Sequence, residues 1–445
     1  MEVSVEVSMV QAVTDRWGSP VSGAPGAASR AFDDAVGCLV ALSGDPVALA
    51  DEAAADGQLV MARVLQAYLS LYSTGAAGFG QARKVLVDLD PWGLAAGERE
   101  LLHVRAAHAW AAGDWERAAG ALERALLHDP RDLLALKVAQ DLYFFLGDRA
   151  GLRDVVERRL AAWPEHLPGW GYVQGMYAFG LEENGRYAEA EARARAALGA
   201  DAGDVWAAHA LAHVFEMTGR QREGVAFLSG SAPDWAGSYF AVHNWWHRAL
   251  YHLELGEDDE VLALYDGPIR GTRSLEWLDV VDAAALLWRL RLFGVDLGTR
   301  PEQLVLDVEG LLGDPVYVFN DWHAVMAAGL SGRRDLCDDL ISANRRVSAG
   351  TNRKMVDVAG LDLLQGFDAF SRGNWVEAAD HLVSAGRHAH VVGGSHAQRD
   401  VVELTLIAAY VRSGERSSAE ALVTDRLRRK PAAEAAVRRL VAASS

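Results

Sequence analysis

The segment Ala112-Gly-Asp-Trp-Glu-Arg-Ala118 decides the fold of this chain. A helical pattern precedes Gly113, and a second one follows it over residues 115–127. Glycine suits the left-handed conformation that ends a helix. Turn glycines recur at intervals of 34 to 41 residues, at Gly113, Gly147, Gly185, Gly219, Gly256, Gly294, Gly332, Gly373 and Gly414. The spacing therefore predicts a series of helix pairs joined by tight turns.

A 34-residue step of paired helices resembles the tetratricopeptide (TPR) repeat. Residues 113–118, 185–190 and 373–378 share its glycine, aromatic residue and later alanine. The resemblance implies an all-α, TPR-like α-solenoid, a right-handed superhelix of roughly ten helix pairs. Such an array is long enough to close around a central pocket. We expect an N-terminal segment with a Gly/Pro loop over residues 1–30 and one continuous repeat domain over 31–445.

Composition limits the classes of partner. The 445 residues carry a net charge of −18, so nucleic acid and anionic membranes are not expected as main partners. Two cysteines, Cys38 and Cys337, cannot form a disulfide scaffold or a four-thiolate metal site. The N-terminus lacks the basic start of a signal peptide, and no run of 18 apolar residues occurs. We therefore expect a cytoplasmic protein.

Polar side chains form a narrow stripe on the predicted helix before Gly219. His209, His213 and Glu216 share one face, because residues three and four apart are neighbours on a helix. His243 and His247 repeat this spacing on the next first helix. Stacked first helices would place these five side chains on one surface.

The TPR resemblance implies that the first helix of each repeat lines the concave surface. Residues at about 13, 10, 6 and 3 positions before each turn glycine are expected to face inward. Besides the stripe residues, these positions hold His103, Lys137, Asp141, Tyr172, Phe179, Glu182 and Trp246. Further polar clusters are expected to join this inner wall: Asp279 with Asp282, the run Asn320-Asp321-Trp322-His323, His388 with His390, and the run Gly393-Gly-Ser-His-Ala-Gln-Arg-Asp400. The Gly-Gly-Ser sequence suggests either an anion site or an ordinary helix cap.

Several longer segments resemble the tetratricopeptide repeat protein 38 family. The similarity covers nearly the whole chain and rests on Arg99-Glu-Leu-Leu-His103, Leu134-Ala-Leu-Lys-Val-Ala-Gln-Asp141, His213-Val-Phe-Glu-Met217, Pro233-Asp-Trp235, His243-Asn-Trp-Trp-His247, Ala263-Leu-Tyr-Asp266, Leu278-Asp-Val-Val-Asp282, Phe319-Asn-Asp321 and the run from Gly393 to Asp400. The stretch over residues 340–354 matches poorly. The resemblance implies a full-length helical-repeat fold with one shared inner surface and supplies no reaction.

Three functions remain open at this stage. The first is a divalent metal site, Zn or Fe, held by His209, His213, Glu216, His243 and His247, since His-x-x-x-His on a helix directs two imidazoles at one ion. Ala210 stands where the His-Glu-x-x-His motif carries its general base.

The second function is a pocket for a small polar molecule, with acid–base chemistry by His209, His213, His243, Glu216 and Asp321. The ligand-binding residues would be His103, Lys137, Asp141, Tyr172, Glu182, Asn244, Trp246, His247, Asp282, Asn320, His323, His396, Gln398, Arg399 and Asp400. The third function is a scaffold that binds a peptide or a partner protein in the concave groove. A wall rich in histidine and acid fits an acidic peptide tail poorly.

Overall fold

Helices form most of the chain that the structure describes. The computed structural model describes residues 12–22, 26–55, 57, 59–87, 89 and 97–444. Two three-residue strands, β1 (Ala12–Thr14) and β2 (Pro20–Ser22), pair antiparallel with Val13 opposite Val21. This hairpin was not predicted from the sequence. It is held to the array by Arg99, whose Nη1 donates to the Pro20 carbonyl at 2.9 Å.

The described helices pack largely as consecutive pairs. In chain order they are α1 (Ala27–Ala41), α2 (Pro46–Ala54), α3 (Val60–Tyr72), α4 (Ala76–Leu86), α5 (Glu98–Ala111), α6 (Trp115–His128), α7 (Leu133–Phe145), α8 (Arg149–Glu157), α9 (Trp170–Glu183), α10 (Tyr187–Ala200), α11 (Val205–Met217), α12 (Gln221–Trp235), α13 (Ala241–Leu255), α14 (Asp258–Leu264), α15 (Trp277–Leu292), α16 (Arg300–Leu311), α17 (Val318–Leu330), α18 (Arg334–Arg345), α19 (Gly350–Met355), α20 (Leu361–Ser371), α21 (Trp375–Gly386), α22 (His396–Ser413), α23 (Arg416–Arg429) and α24 (Glu434–Ser444).

The nine predicted turn glycines all adopt a left-handed backbone, with φ between 66° and 85°. Each follows the first helix of a pair, as Gly113 follows α5 and Gly414 follows α22. The chain is therefore a TPR-like α-solenoid, which confirms the predicted fold class. The interval of 41 residues between Gly332 and Gly373 is longer than a 34-residue repeat because it also contains α19 and a π-helical turn over Val356–Gly360.

The array closes on itself through contacts between repeats that are distant in sequence. The amide of Thr351 donates to the Gly113 carbonyl at 2.8 Å. Asn320 Nδ2 donates to the Thr74 carbonyl at 3.0 Å. The rings of Trp115 and Tyr317 lie 5.1 Å apart. The first helices therefore face packed neighbours over much of the concave side, and the polar residues of that side are largely buried.

The first described helix starts within the segment expected to precede the repeat domain. Helix α1 begins at Ala27, four residues before residue 31. The Gly/Pro loop falls partly on residues 23–25, which lie outside the described residues. Cys38 and Cys337 carry free thiols. Across the described ranges, every helix is too short or too polar to cross a bilayer.

Candidate metal and ligand site

Four histidines from α11 and α13 meet inside the array. His209 and His213 lie one turn apart on α11, and His243 and His247 lie one turn apart on α13. Each offers one ring nitrogen, and these four nitrogens lie within 4.8 Å of one another. All four side chains are at most 3% exposed. The structure thus brings together the four imidazoles that the stacking of first helices predicts.

Carboxylates hold two of these imidazoles from behind. Asp282, on α15, places Oδ2 2.6 Å from Nδ1 of His243. Glu216, one turn beyond His213 on α11, places Oε2 3.3 Å from Nδ1 of His247. With Nδ1 engaged, the Nε2 atom of each ring is left for the centre of the cluster, and Nε2 of His247 has no hydrogen-bond partner among the described residues.

Glu182 stands behind the third imidazole. Its Oε2 lies 3.5 Å from Nδ1 of His213, but neither carboxylate oxygen makes a well-directed hydrogen bond within the described chain. Burial raises the pKa of Glu182 well above its ordinary value, and the neighbouring Glu183 and Glu216 raise it further. Such a carboxyl is a fully buried polar group in need of a partner.

Burial favours the neutral form of three of the four imidazoles. Burial lowers the pKa values of His209, His213 and His247 well below the ordinary value, and neighbouring histidines lower them further. Nε2 of His209 lies 2.9 Å from Nε2 of His213, so one of these nitrogens must be unprotonated for this contact to be a hydrogen bond. Neutral imidazole is the form that binds metals.

An aromatic wall surrounds the cluster. Trp246 stacks on His243 with ring centroids 5.2 Å apart. Phe179, Trp206 and Phe240 each lie within 5.4 Å of a histidine ring, centroid to centroid. Asn244 donates weakly to the Val205 carbonyl at 3.5 Å. Electrostatic interactions are stronger in such a buried, low-dielectric environment than in water.

A second polar group lies on α7, two first helices before α11. Lys137 Nζ and Asp141 Oδ2, on α7, are 2.8 Å apart, and the Tyr72 hydroxyl donates to Asp141 at 2.6 Å. The Lys137 ammonium lies 4.6 Å from the ring centroid of Trp206, which itself contacts His209. Tyr172 is only half-buried and packs against the core beside this region.

His103 is fully engaged by structural partners. Its Nε2 lies 2.9 Å from Asp132 Oδ2, and its Nδ1 lies 3.1 Å from the Tyr68 hydroxyl. Arg99 Nε donates to the same Asp132 oxygen at 2.5 Å. The predicted inward position of His103 is therefore occupied by a buried network between α3, α5 and α7.

The polar run on α17 has partners of its own. Asp321 accepts from Asn344 Nδ2 at 3.0 Å, and Asn320 donates to Thr74. Nδ1 of His323 lies 2.8 Å from the Phe319 carbonyl oxygen. No contact found in the described ranges joins Asp321 to the four histidines, so the structure does not unite it with the other predicted catalytic groups.

The start of α22 is capped from within the protein. Ser395 and Gln398 form a reciprocal capping box, and the His396 amide donates to Glu183 Oε1 at 2.8 Å. Arg399 Nη2 lies 3.4 Å from Glu183 Oε2. Glu183 thus supplies the negative charge at the helix start where the sequence suggested an anion.

Asp400 forms a two-pronged ion pair with Arg426, at 2.5 and 2.9 Å. Burial alone would raise the pKa of Asp400, but Arg426 holds it below its ordinary value. The predicted Asp400 is therefore matched by a cation from α23.

Arg289 is a site residue that the sequence did not single out. It is 2% exposed on α15, and its Nη2 donates to the Ala397 carbonyl at 2.7 Å. Its guanidinium carbon lies 5.5 Å from the ring centroid of Trp246. Only the tertiary contact between α15 and α22 distinguishes it from an ordinary arginine near the end of a helix.

No family model matches the chain. Among solved structures, it is similar to the Rap protein complexed with competence and sporulation factor, at 12% identity and TM-score 0.45, over 81% of this chain and 99% of that one. It is also similar to the Cut9-Hcn1 APC/C heterotetramer, at 13% identity and TM-score 0.33, over 92% and 81%. Yeast Tom70 matches at 11% identity and TM-score 0.26, over 85% and 95%. At these identities the likeness concerns the fold alone.

Proposed function

We propose that this TPR-like protein binds one divalent metal ion between α11 and α13, and that the centre binds a small polar molecule. The observation that carries the proposal is the convergence of four buried, mutually close imidazoles, with carboxylates behind three of them. Buried polar groups are expected to have partners. An ion at the centre would supply them for the imidazole nitrogens that lack one.

The donor set fits a borderline metal. Imidazole suits zinc, iron, copper and nickel, whereas calcium and magnesium prefer oxygen. Metal-bound histidines commonly donate a hydrogen bond from their second ring nitrogen to a carboxylate, which fixes the ring orientation. Asp282 and Glu216 hold His243 and His247 in this way. Zinc or iron therefore remains the candidate.

The protein's own residues divide into distinct roles. His209, His213, His243 and His247 would hold the ion, and Asp282 and Glu216 would orient two of the rings. Glu182 is the group best placed to hold or move a proton, because its Oε2 lies 3.5 Å from Nδ1 of His213 and its oxygens are free of hydrogen bonds within the described chain. A bound zinc or iron ion would polarise a ligand oxygen.

We also propose membership of the tetratricopeptide repeat protein 38 family. The support is the resemblance of the segments around His213, His243 and Asp282, which are the segments that build the four-histidine cluster and its carboxylates. The resemblance and the geometry therefore select the same part of the chain.

Metal binding by purified variants tests the proposal. The wild type, stripped with chelator and reloaded with Zn²⁺ or Fe²⁺, should hold about one equivalent and unfold at a higher temperature when loaded. His213→Asn and His247→Asn should each reduce this content at least about tenfold. His128→Asn, on an imidazole 49% exposed on α6, is the control and should bind like the wild type. Reloaded wild type with no metal and no thermal shift would contradict the proposal.

A second candidate function is a scaffold for a peptide or partner protein. The observation that favours it is a cleft of about 1060 Å³ between the α10–α11 region and α21–α23. A peptide could enter such a cleft without reaching the histidines. Partner binding that survives in a metal-free wild type and in His213→Asn would favour the scaffold.

A further inference from the structure

The large cleft runs beside α22 and is separate from the four-histidine cluster. Helix α22 forms its floor, α21 and α23 form two walls, and residues of α8, α10 and α11 face them. Glu216 lies between the cleft and the four-histidine cluster, since it lines the cleft and also contacts His247. The cleft volume of about 1060 Å³ slightly exceeds the usual range for small-molecule pockets, about 300–1,000 Å³.

The two ends of the cleft differ in polarity. At the C-terminal end of α22, the lining is Leu406, Tyr410, Ala421 and Leu422. At the N-terminal end, the cations and histidines gather. They are Arg149, Arg387, His390, His396, Arg399, Arg426, Arg429 and Lys430.

Most of the lining charges cancel one another. Arg426 pairs with Asp400. Arg429 Nη2 lies 2.7 Å from Glu403 Oε2. Lys430 Nζ lies 2.5 Å from Glu254 and 3.9 Å from Glu216. Arg399 is matched by Glu183 beneath it.

Among the described residues, two lining arginines have no acidic partner of their own. Arg149 Nη1 lies 2.9 Å from Nε2 of His396, and the same Nε2 lies 3.8 Å from Glu183 Oε2. Within the described residues, neither Arg149 nor Arg387 forms an ion pair. Both are exposed at the mouth of the cleft. The lining also contains Asp425, whose Oδ2 lies 3.2 Å from Arg429 Nε, so the uncompensated charge of the cleft is that of Arg149 and Arg387.

We infer that the cleft binds an amphipathic organic anion, with its carboxylate or phosphate at Arg149 and Arg387 and its apolar body along Leu406, Tyr410 and Leu422. Unpaired arginines recognise carboxylate and phosphate through paired hydrogen bonds. The apolar end gives a place for a hydrocarbon body to leave water, which contributes roughly 0.8 kcal/mol per buried methylene group. The inference does not require a metal at the histidines.

Calorimetric titration with matched amphiphiles tests the inference. Decanoate and decyl phosphate should bind saturably below their critical micelle concentrations. Decanol, which lacks the anionic group, and acetate, which lacks the hydrocarbon chain, should each bind at least about tenfold more weakly. The double variant R149E/R387E should weaken decanoate binding at least about tenfold. Arg222→Glu, on an arginine 79% exposed outside the cleft, should leave it unchanged.

The apolar end has its own matched pair of variants. Leu422→Gln should weaken the binding of decanoate more than the binding of octanoate. Leu127→Gln, on a leucine 78% exposed on α6, should alter the binding of neither ligand. Circular dichroism and metal content check that each variant keeps its fold and that a failure here is distinct from a failure of the metal site.

Three results would overturn the inference. They are the absence of saturable binding by decanoate and decyl phosphate, equal binding by decanol and decanoate, and unchanged binding by R149E/R387E. A peptide with an acidic C-terminus that binds in the cleft while decanoate fails to displace it would replace the small anion with a protein partner.

Discussion

Asp321 is a buried carboxylic acid whose hydrogen-bond donor is neutral. Burial raises its pKa from 3.8 to about 7, and the hydrogen bond from Asn344 lowers it only in part. The folded protein therefore binds this proton more tightly than the unfolded chain does. The stability that the proton provides is complete below pH 4 and is lost as the pH rises through 7.

Asp321→Asn should remove the loss of folding stability that the wild type shows as the pH rises through 7. The amide keeps an acceptor oxygen for Asn344 and carries no charge, so the variant should be more stable than the wild type at pH 8 by about 2 kcal/mol. Urea unfolding at pH 4, 6 and 8 measures the difference. Asp259→Asn, at an exposed position on α14, serves as the control. An unchanged pH dependence in Asp321→Asn would show that this carboxyl is not the titrating group.

Asp132 caps the N-terminus of α7 and contacts three partners. Asp132 Oδ1 accepts from the Ala135 amide at 2.9 Å, and Oδ2 contacts Arg99 and His103. Burial opposes ionisation, but Arg99 and His103 hold the pKa of Asp132 far below its ordinary value. The ion pair therefore stabilises the fold at neutral pH, and this contribution is lost as the medium becomes strongly acidic.

Asp132→Asn should cost about 3 kcal/mol at pH 7, because the cap oxygen remains while Arg99 loses its buried counter-charge. Asp114→Asn is the matched control, since Asp114 caps α6 in the same way from an exposed position. Its cost should stay well under 1 kcal/mol. Equal costs for the two variants, measured by urea unfolding, would contradict a dominant role for the ion pair.

The closed array depends on close approach between distant repeats. Gly147, after α7, lies against the backbone of His390, and a Cβ atom there would collide with the His390 carbonyl oxygen. Gly185, one repeat later, has the same left-handed backbone, but no described residue outside its immediate chain neighbours comes within 4 Å of such an atom. Substitutions at the two glycines therefore distinguish the cost of a strained turn from the added cost of disturbing the contact that closes the array.

Gly147→Ala should destabilise the protein by about 3 kcal/mol, from both the left-handed strain and the collision. Gly185→Ala should cost only about 1 kcal/mol, because strain acts alone. Equilibrium unfolding in urea gives both values. A Gly147→Ala variant no less stable than Gly185→Ala would mean that this contact does not help to close the array.

The sequence predicted the features that depend on local periodicity. Glycine spacing located the turns, and the four-residue spacing of His209 and His213 located the inner stripe. The closure of the array was expected only in outline, because the partners of Gly113 and Gly147 lie more than 200 residues away. The cationic mouth at Arg149 and Arg387 was missed for the same reason, since its members come from α8 and from the segment after α21.

The most direct test of the metal centre is an anomalous difference map from crystals of the zinc- or iron-loaded protein, collected on both sides of the metal's absorption edge. We predict a single strong peak between α11 and α13, about 2.0–2.1 Å from the imidazole nitrogens for zinc. A centre filled only by water, or metal peaks confined to the acidic surface, would contradict the account.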